Sequence, residues 1–240
     1  AQRYLGQIAL KKGANTRAAD YLLSATAIAF DEDAGAAALQ ALMASEQWER
    51  GVTAAEKMLK RENLSDNFQR VANENLMYFY KNSGNDRGYA MVADKLRRES
   101  PDDPRYLLES AVGADRLGRD ERAREFYTTY LEGKFDPAVA FKLFYLLKET
   151  EDLAAGEVVL DRVVATEGLT DDMRLAANYE LAQVYRATNR TNDYMRIMDQ
   201  VVLEKAEAEL LFEYGVQLYG SGYDDLAVEL FKKAFERAVD

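Results

Sequence analysis

The stretch Gly222–Ala238, GYDDLAVELFKKAFERA, decides the fold because its small residues recur at helical spacing. Ala227 and Ala234 are seven positions apart, which places them on one face of the helix that this spacing predicts. Gly222 comes just before that helix, and glycine readily adopts the left-handed conformation in which a preceding helix ends. On that preceding segment, Gly215 occupies the apolar face. The stretch therefore predicts two helices that turn at Gly222 and cross closely where Gly215 faces Ala227.

The same pair of helices recurs seven times along the chain. The predicted crossing residues on the first helix of each pair are Gly6, Leu39, Met77, Ala111, Phe144, Ala182 and Gly215. Their partners on the second helix are Ala18, Gly51, Tyr89, Ala123, Gly156, Tyr194 and Ala227. Successive partners are 33, 38, 34, 33, 38 and 33 residues apart. The turns carry Gly13, Gly84, Gly118, Asn189 and Gly222, whereas Glu46 and Glu151 stand at the other two turns and depart from that rule.

A period near 34 residues built from two helices resembles the tetratricopeptide repeat, and the resemblance covers essentially the whole chain. The copies at Gly118–Tyr130 and Tyr214–Ala234 carry it most clearly, and seven copies in register make it specific. The resemblance implies an all-α fold, a right-handed α-solenoid of about seven tetratricopeptide (TPR) helix-turn-helix repeats. Such repeats bury their apolar surface against their neighbours.

A longer period of about 105 residues overlies the repeat. The segments that begin at Glu62 and Glu167 are identical at nine of 33 aligned positions. A longer spacer precedes the first helix in each segment, where Ser65 and Thr170 are typical helix-start residues. This pattern predicts that a block of three repeats was duplicated.

The predicted domain organisation is a single array over residues 1–240. It comprises three-repeat blocks at about 1–100 and 104–205 and a final repeat at 207–240. End repeats of such arrays normally carry a polar outer face, whereas the last helix here offers Leu230, Phe231, Phe235 and Val239. We therefore expect either that the chain is a segment of a longer array or that its ends are covered by partners, including by self-association.

The composition excludes several functional classes. Lys and Arg total 31 and Asp and Glu total 42, and the resulting net charge of −11 repels nucleic acid and anionic lipid. The chain has no cysteine and no histidine, which excludes disulfides, thiol chemistry and the usual zinc sites, so we expect no metal and no cofactor. No apolar run approaches the ~20 residues of a membrane helix. Absence of cysteine suits an exported bacterial protein, so we expect a periplasmic location, with the cytoplasm as the alternative.

A candidate binding surface follows from the repeat register, because the first helices line the concave face of such a solenoid. The aromatic residues on that face are Tyr78, Phe141, Tyr145, Tyr179, Phe212 and Tyr219. The cations near the same level of several repeats are Lys81, Arg116, Lys148 and Arg186. The same register places Glu74, Leu108, Val112, Asp115, Gln183 and Val216 there. The pattern predicts a groove that holds a peptide by stacking while the cations bind its carboxylates. Alternatively, the aromatics pack on adjacent repeats and the cations are solvated.

Two more specific functions are disfavoured. The carboxylate pairs Asp102–Asp103, Asp171–Asp172 and Asp224–Asp225 could serve acid–base chemistry, but each falls at a loop or helix start, where Asp offsets the positive helix end. No catalytic or phosphate-binding motif appears, so we expect a protein that is not an enzyme. Some tetratricopeptide domains clamp chaperone tails with Lys and Asn at fixed places; the residues here are Glu74 with Tyr78, Leu108 with Val112, and Phe141 with Tyr145, so this clamp is absent.

The resemblance implies a scaffold for protein–protein interaction, in which an extended peptide or a helix binds the concave groove. A weaker resemblance connects long, cysteine-free repeat arrays with the periplasmic segments of bacterial exopolysaccharide export proteins. It implies that the array recruits a polymer-modifying enzyme or guides the glycan, with tyrosines stacking on sugar faces. A cytoplasmic regulatory adaptor is the third hypothesis.

Overall fold

The protein is built from consecutive α-helices. The computed structural model describes residues 1–205, 208–220 and 222–239, and within these ranges the side chains of 199–205, 210, 217, 225 and 226 lie outside the description. The helices of the described residues are α1 (Gln2–Lys11), α2 (Asn15–Ile28), α3 (Glu32–Ala44), α4 (Trp48–Leu59), α5 (Asp66–Asn82), α6 (Asp86–Glu99), α7 (Pro104–Arg116), α8 (Asp120–Gly133), α9 (Pro137–Glu149), α10 (Leu153–Val164), α11 (Asp171–Ala187), α12 (Thr191–Lys205), α13 (Ala208–Gly220) and α14 (Asp224–Val239). Each odd-numbered helix packs against the next even-numbered one, which confirms the predicted all-α fold of helix hairpins.

The helices fall into two compact units. Unit 1 is Ala1–Lys134 and contains α1 to α8, and unit 2 is Phe135–Asp240 and contains α9 to α14. Within each unit the second helix of a hairpin also packs on the first helix of the next, as α2 does on α3 and α10 on α11. Stacking of hairpins in chain order is the arrangement of an α-solenoid. Leu39 and Tyr89 are fully buried in unit 1, as Phe144 is in unit 2.

The predicted crossing residues of all seven hairpins are buried, and glycine is required at several of them. A Cβ atom on Gly6 would lie 2.5 Å from Cγ of Leu22 in the same hairpin. A Cβ atom on Gly51 would lie 2.5 Å from the Phe79 ring in the next hairpin. The closest neighbour of Gly51 is therefore Phe79 and not the predicted partner Leu39. Since carbon atoms in contact are normally about 3.5–4.0 Å apart, both positions exclude a side chain unless the neighbour moves.

Every turn between paired helices contains one residue in the left-handed conformation. The φ angles are 69° at Gly13, 75° at Gly84, 62° at Gly118, 56° at Asn189 and 81° at Gly222. Glu46 and Glu151, which depart from the rule by residue type, adopt the same conformation with φ of 55° and 61°. The hairpin geometry therefore imposes this conformation even on glutamate, where it costs about 1–2 kcal/mol.

Helices α5 and α11 differ from the other first helices because each is 17 residues long. Ser65 caps α5 and Thr170 caps α11, each accepting a hydrogen bond from the backbone N–H three residues on, as predicted. The bounds of the two helices, Asp66–Asn82 and Asp171–Ala187, are 105 residues apart at both ends. The helix positions thus repeat with the period of the sequence, while the duplication of a three-repeat block stays a prediction.

The paired aspartates lie at helix starts. Asp103 is the N-cap of α7 and accepts a 3.0 Å hydrogen bond from the backbone N–H two residues on. Asp171 and Asp172 are in the first turn of α11, and Asp224 is the first residue of α14; the side chain of Asp225 lies outside the described residues. The structural role predicted for these carboxylates is confirmed where Asp103 serves as a cap.

The last helix leaves less apolar surface uncovered than the sequence predicts. Leu230 is buried, and the Phe231 ring lies 5.5 Å from that of Phe212 on α13. Only Phe235 and Val239 of the four predicted apolar residues remain largely exposed. Two of the four predicted apolar residues of α14 are therefore covered within the fold.

None of the helices in the described ranges combines the length and the apolar character needed to cross a membrane. Within the same ranges, no group of three or more carboxylates is arranged to hold a metal ion.

Candidate functional site

The ten predicted binding residues lie on the first helices, and none of them is fully buried. Unit 1 carries Tyr78 and Lys81 on α5 and Arg116 at the end of α7. Unit 2 carries Phe141, Tyr145 and Lys148 on α9, Tyr179 and Arg186 on α11, and Phe212 and Tyr219 on α13. We call these two sets the unit-1 face and the unit-2 face.

Lys81, on the unit-1 face, is held by an acid of the next first helix. Its Nζ lies 2.8 Å from Oε2 of Glu109, and the hydroxyl of the buried Tyr89 donates a hydrogen bond to the same carboxylate. Burial, followed by the hydrogen bond to Glu109, raises the pKa of Tyr89, so the phenol remains a donor. The Lys81 charge is therefore already matched within the fold.

Arg116 is matched in the same way. Its Nη1 lies 3.1 Å from Oδ1 of Asp86 and donates a 3.2 Å hydrogen bond to the backbone oxygen of Lys81. Burial, and then the nearby Glu109 carboxylate, raises the pKa of the Tyr78 hydroxyl beside this network. The unit-1 face is therefore a connected network of paired charges with one half-exposed tyrosine ring.

On α9, at the start of unit 2, aromatic and charged residues form a similar cluster. Lys148 Nζ lies 2.7 Å from Oε2 of Glu180, and the Tyr145 hydroxyl donates a 3.4 Å hydrogen bond to Oε1 of the same carboxylate. Burial and then Glu180 raise the pKa of Tyr145. The rings of Phe141 and Tyr145 are stacked, with centroids 6.3 Å apart and an interplanar angle of 27°. Lys148 is thus engaged, while a stacked pair of rings stays accessible.

An open cleft of about 460 Å³ lies between α11 and α13. We call it the unit-2 cleft, and its lining residues are Tyr179, Gln183, Arg186, Phe212, Glu213 and Val216. The sequence places all of these on the binding face except Glu213. Arg186 is exposed and makes no ion pair with any residue that the structure describes. The unit-2 cleft therefore combines a free guanidinium with half-exposed apolar side chains.

The cation of the unit-2 cleft differs from its counterpart in unit 1 in its pairing. Counting on by the sequence period, Lys81 corresponds to Arg186 (186 − 81 = 105) and Glu109 to Glu213 (213 − 109 = 104). The first pair forms a 2.8 Å ion pair, whereas Arg186 and Glu213 make none among the residues described. Two positions that correspond by the sequence period therefore differ in whether the cation already has an acidic partner among the described residues.

The sequence did not reveal three acids that contact the predicted cations. Glu109 on α7, Asp86 on α6 and Glu180 on α11 each pair with one of the four cations, so both faces carry less free positive charge than predicted. The signal that could have revealed them is their separation of 28, 30 and 32 residues from their cations, close to one repeat. Tyr219, by contrast, is exposed and does not line the unit-2 cleft.

Comparison with known proteins bears on the fold. No family model matches the chain, and no curated protein sequence matches it. A tetratricopeptide repeat protein from Parabacteroides merdae is 15% identical, with a TM-score of 0.58 over 97% of this chain and 90% of that one. The C-terminal part of a TPR repeat-containing protein from Cytophaga hutchinsonii is 11% identical, with a TM-score of 0.71 over 99% and 93%. The chain has the tetratricopeptide-repeat fold.

Other solved structures share this fold over part of the chain. MamA from Desulfovibrio magneticus is 18% identical, with a TM-score of 0.56 over 72% of this chain and 96% of that one. At such identities the likeness concerns the fold alone, because one fold supports many functions.

Proposed function

We propose that this tetratricopeptide-repeat chain is a non-enzymatic scaffold that holds a protein partner in the unit-2 cleft. The observation that carries the proposal is Arg186, a cation without an acidic partner among the described residues in a chain whose net charge is −11. The other three predicted binding cations, Lys81, Arg116 and Lys148, each have an acidic partner. An unpaired cation beside apolar side chains favours a ligand of opposite charge.

The chemistry of the unit-2 cleft indicates an extended peptide that carries a carboxylate next to a large apolar side chain. The Arg186 guanidinium can bind a carboxylate through two parallel hydrogen bonds. Phe212 and Val216 are about half exposed and offer a surface for the apolar side chain. Gln183 and Glu213 can bond the amide groups of a peptide backbone.

A charge reversal at Arg186 tests the proposal. The chain is immobilised as wild type, as Arg186→Glu and as Lys232→Glu, a matched reversal on the exposed second helix α14. Proteins captured from an extract of the native source are quantified for each. We expect a partner whose capture falls about tenfold with Arg186→Glu and is retained with Lys232→Glu. Equal capture by all three forms would reject the unit-2 cleft as the binding site.

Reversal of Lys81 and Lys148 together with Arg186 is a less specific test of the same idea. Both lysines have acidic partners within the fold, so Lys81→Glu or Lys148→Glu would place like charges against Glu109 or Glu180. A loss of binding could then follow from a disturbed surface. The single Arg186→Glu change avoids this ambiguity.

A glycan is the second candidate ligand, and the accessible Phe141–Tyr145 stack together with the exposed Tyr219 favours it. Aromatic faces of this kind can stack on sugar rings, and the acidic surface would attract a cationic, deacetylated polymer. Titration with chitosan oligosaccharide, with cello-oligosaccharide as the neutral control, would measure this. Saturable binding of chitosan that Tyr145→Ala abolishes would support a role in exopolysaccharide export; no saturable binding would remove it.

The place of the scaffold in a bacterial envelope assembly rests on the absence of cysteine. Periplasmic extraction of the native cells, followed by detection of the chain, tests that location. Recovery with cytoplasmic markers would favour the regulatory adaptor instead. Self-association through the chain ends stays a prediction, which a mass measurement in dilute solution would test.

A further inference from the structure

A second groove lies in unit 1, between the second helices α2 and α4, away from the first helices. Its volume is about 410 Å³. The floor is apolar, with the buried Ala54 and Met58 of α4 facing Leu23 and the exposed Ala27 of α2. We call it the second-helix groove.

The α4 edge of the second-helix groove carries three cations and one acid, Glu49, so its charge is net positive. Arg50 and Lys57 are seven residues apart on α4, which is about 10 Å along a helix at 1.5 Å per residue, and Arg61 follows one turn later. Among the residues that the structure describes, Lys57 and Arg61 make no ion pair. Arg50 contacts Asp20 at 2.7 Å, and both side chains are about half exposed. Two cations on this edge are therefore free.

Arg61 also shapes the end of the second-helix groove. Its guanidinium lies 4.3 Å from the centroid of the Phe30 ring, and Phe30 packs edge-on against Phe68 at 5.5 Å. The Phe30 ring and the exposed Arg61 side chain both line the groove at this end. An apolar side chain on the floor would thus have a cation beside it.

From this geometry we infer that the second-helix groove docks an acidic amphipathic helix of a protein partner. Two helices side by side with an apolar floor accept the apolar stripe of a third helix, as in other helix-in-groove complexes. Glutamates or aspartates along one flank of that helix would face Lys57 and Arg61. A compact small molecule would engage only one end of this edge, so the elongated ligand fits the charge pattern better. This surface is distinct from the unit-2 cleft.

The test uses a defined probe and the whole chain. A fluorescein-labelled, alanine-based helical peptide carries leucines at i, i+4 and i+7 and glutamates along one flank; a second peptide carries glutamines instead. Fluorescence polarisation is measured with wild type, with Lys57→Glu, and with Lys60→Glu, an equal reversal on an exposed neighbour that does not line the groove. We expect Lys57→Glu to weaken binding of the glutamate peptide about tenfold and Lys60→Glu to change it less than about twofold.

A second pair of variants examines the floor. Ala27→Glu places a carboxylate in the groove, whereas Ser24→Glu adds the same charge one turn earlier on α2, at an exposed position outside it. We expect loss of peptide binding only for Ala27→Glu, with unchanged circular dichroism for both. The inference is overturned if wild type does not bind the glutamate peptide, if the glutamine peptide binds equally, or if the paired variants behave alike. Binding of dodecanoate without the peptide, or assembly of the chain into dimers that Lys57→Glu dissociates, would assign the groove to another occupant.

Discussion

The substitution Gly51→Ala examines the close packing on which the stacked hairpins depend. Gly51 lies in the first turn of α4, and an added Cβ would be 2.5 Å from Cδ1 and Cε1 of the Phe79 ring. Phe79 is fully buried between neighbouring helices, so its ring has no free space in which to turn aside. To restore normal contact the ring or the helix must move by about 1 Å.

The size of the effect follows from two opposing contributions. Overpacking of a filled core costs about 1–3 kcal/mol. Alanine is a better helix former than glycine by up to about 1 kcal/mol, which offsets part of that cost. We therefore expect Gly51→Ala to lower the free energy of unfolding by about 1–2 kcal/mol. Gly133→Ala, the same change at an exposed glycine in α8 with no atom within 4 Å, keeps only the favourable contribution and should be neutral or slightly stabilising.

Urea unfolding measured by tryptophan fluorescence is a suitable assay, since Trp48 is the sole tryptophan and lies one turn before Gly51 on α4. The expected result is a lower urea midpoint for Gly51→Ala with an unchanged slope. If Gly51→Ala matched Gly133→Ala, or stabilised the protein, the close approach of α4 to Phe79 would not be what makes glycine necessary.

Three further predictions use the same unfolding measurement. Glu46→Gly should raise the free energy of unfolding by about 0.5–1 kcal/mol, because glycine adopts φ of 55° without strain; no gain would refute a strained turn. Ser65→Ala should lower it by about 1 kcal/mol through loss of the α5 cap, whereas Ser24→Ala, within α2, should change it less. Burial, with a hydrogen bond to Glu56, raises the pKa of Tyr80 from 10.0 to about 12. The contribution of the Tyr80 hydroxyl to the free energy of unfolding is therefore fully present below pH 10 and is lost as the pH rises towards 12. Between pH 10 and pH 12 the free energy of unfolding of Tyr80→Phe should therefore fall less than that of wild type. An equal fall in both proteins would contradict the raised pKa of Tyr80.

The binding surface could be predicted only in part from the sequence. Helical register places Gln183, Phe212 and Val216 on one face because each lies at a fixed phase of its helix. Helical register does not determine which charged side chains form ion pairs, because an ion pair between successive first helices depends on the length of the side chains and on the distance between the helices. For this reason Lys81 and Arg186 were treated alike, although only Lys81 has an acidic partner among the described residues.

The turn residues were also predicted only in part, because residue preference decides some turns and helix packing decides the others. Glycine or asparagine marks five of the seven turns because these residues tolerate positive φ. At Glu46 and Glu151 the residue preference is overridden, because the packing of the two flanking helices gains more than the local strain costs.

By itself, the sequence determined the number of hairpins, their period and which small residues are buried between helices, because small side chains at helical spacing leave few other ways to bury apolar surface. The tertiary structure decided which side chains are left without a partner. It matched Lys81 to Glu109 across two helices, left Arg186 without an ion pair to any described residue, and opened the second-helix groove between α2 and α4. The physical reason is that burial follows from local periodicity, whereas the pairing of exposed charges is set by distances between helices that are far apart in the chain.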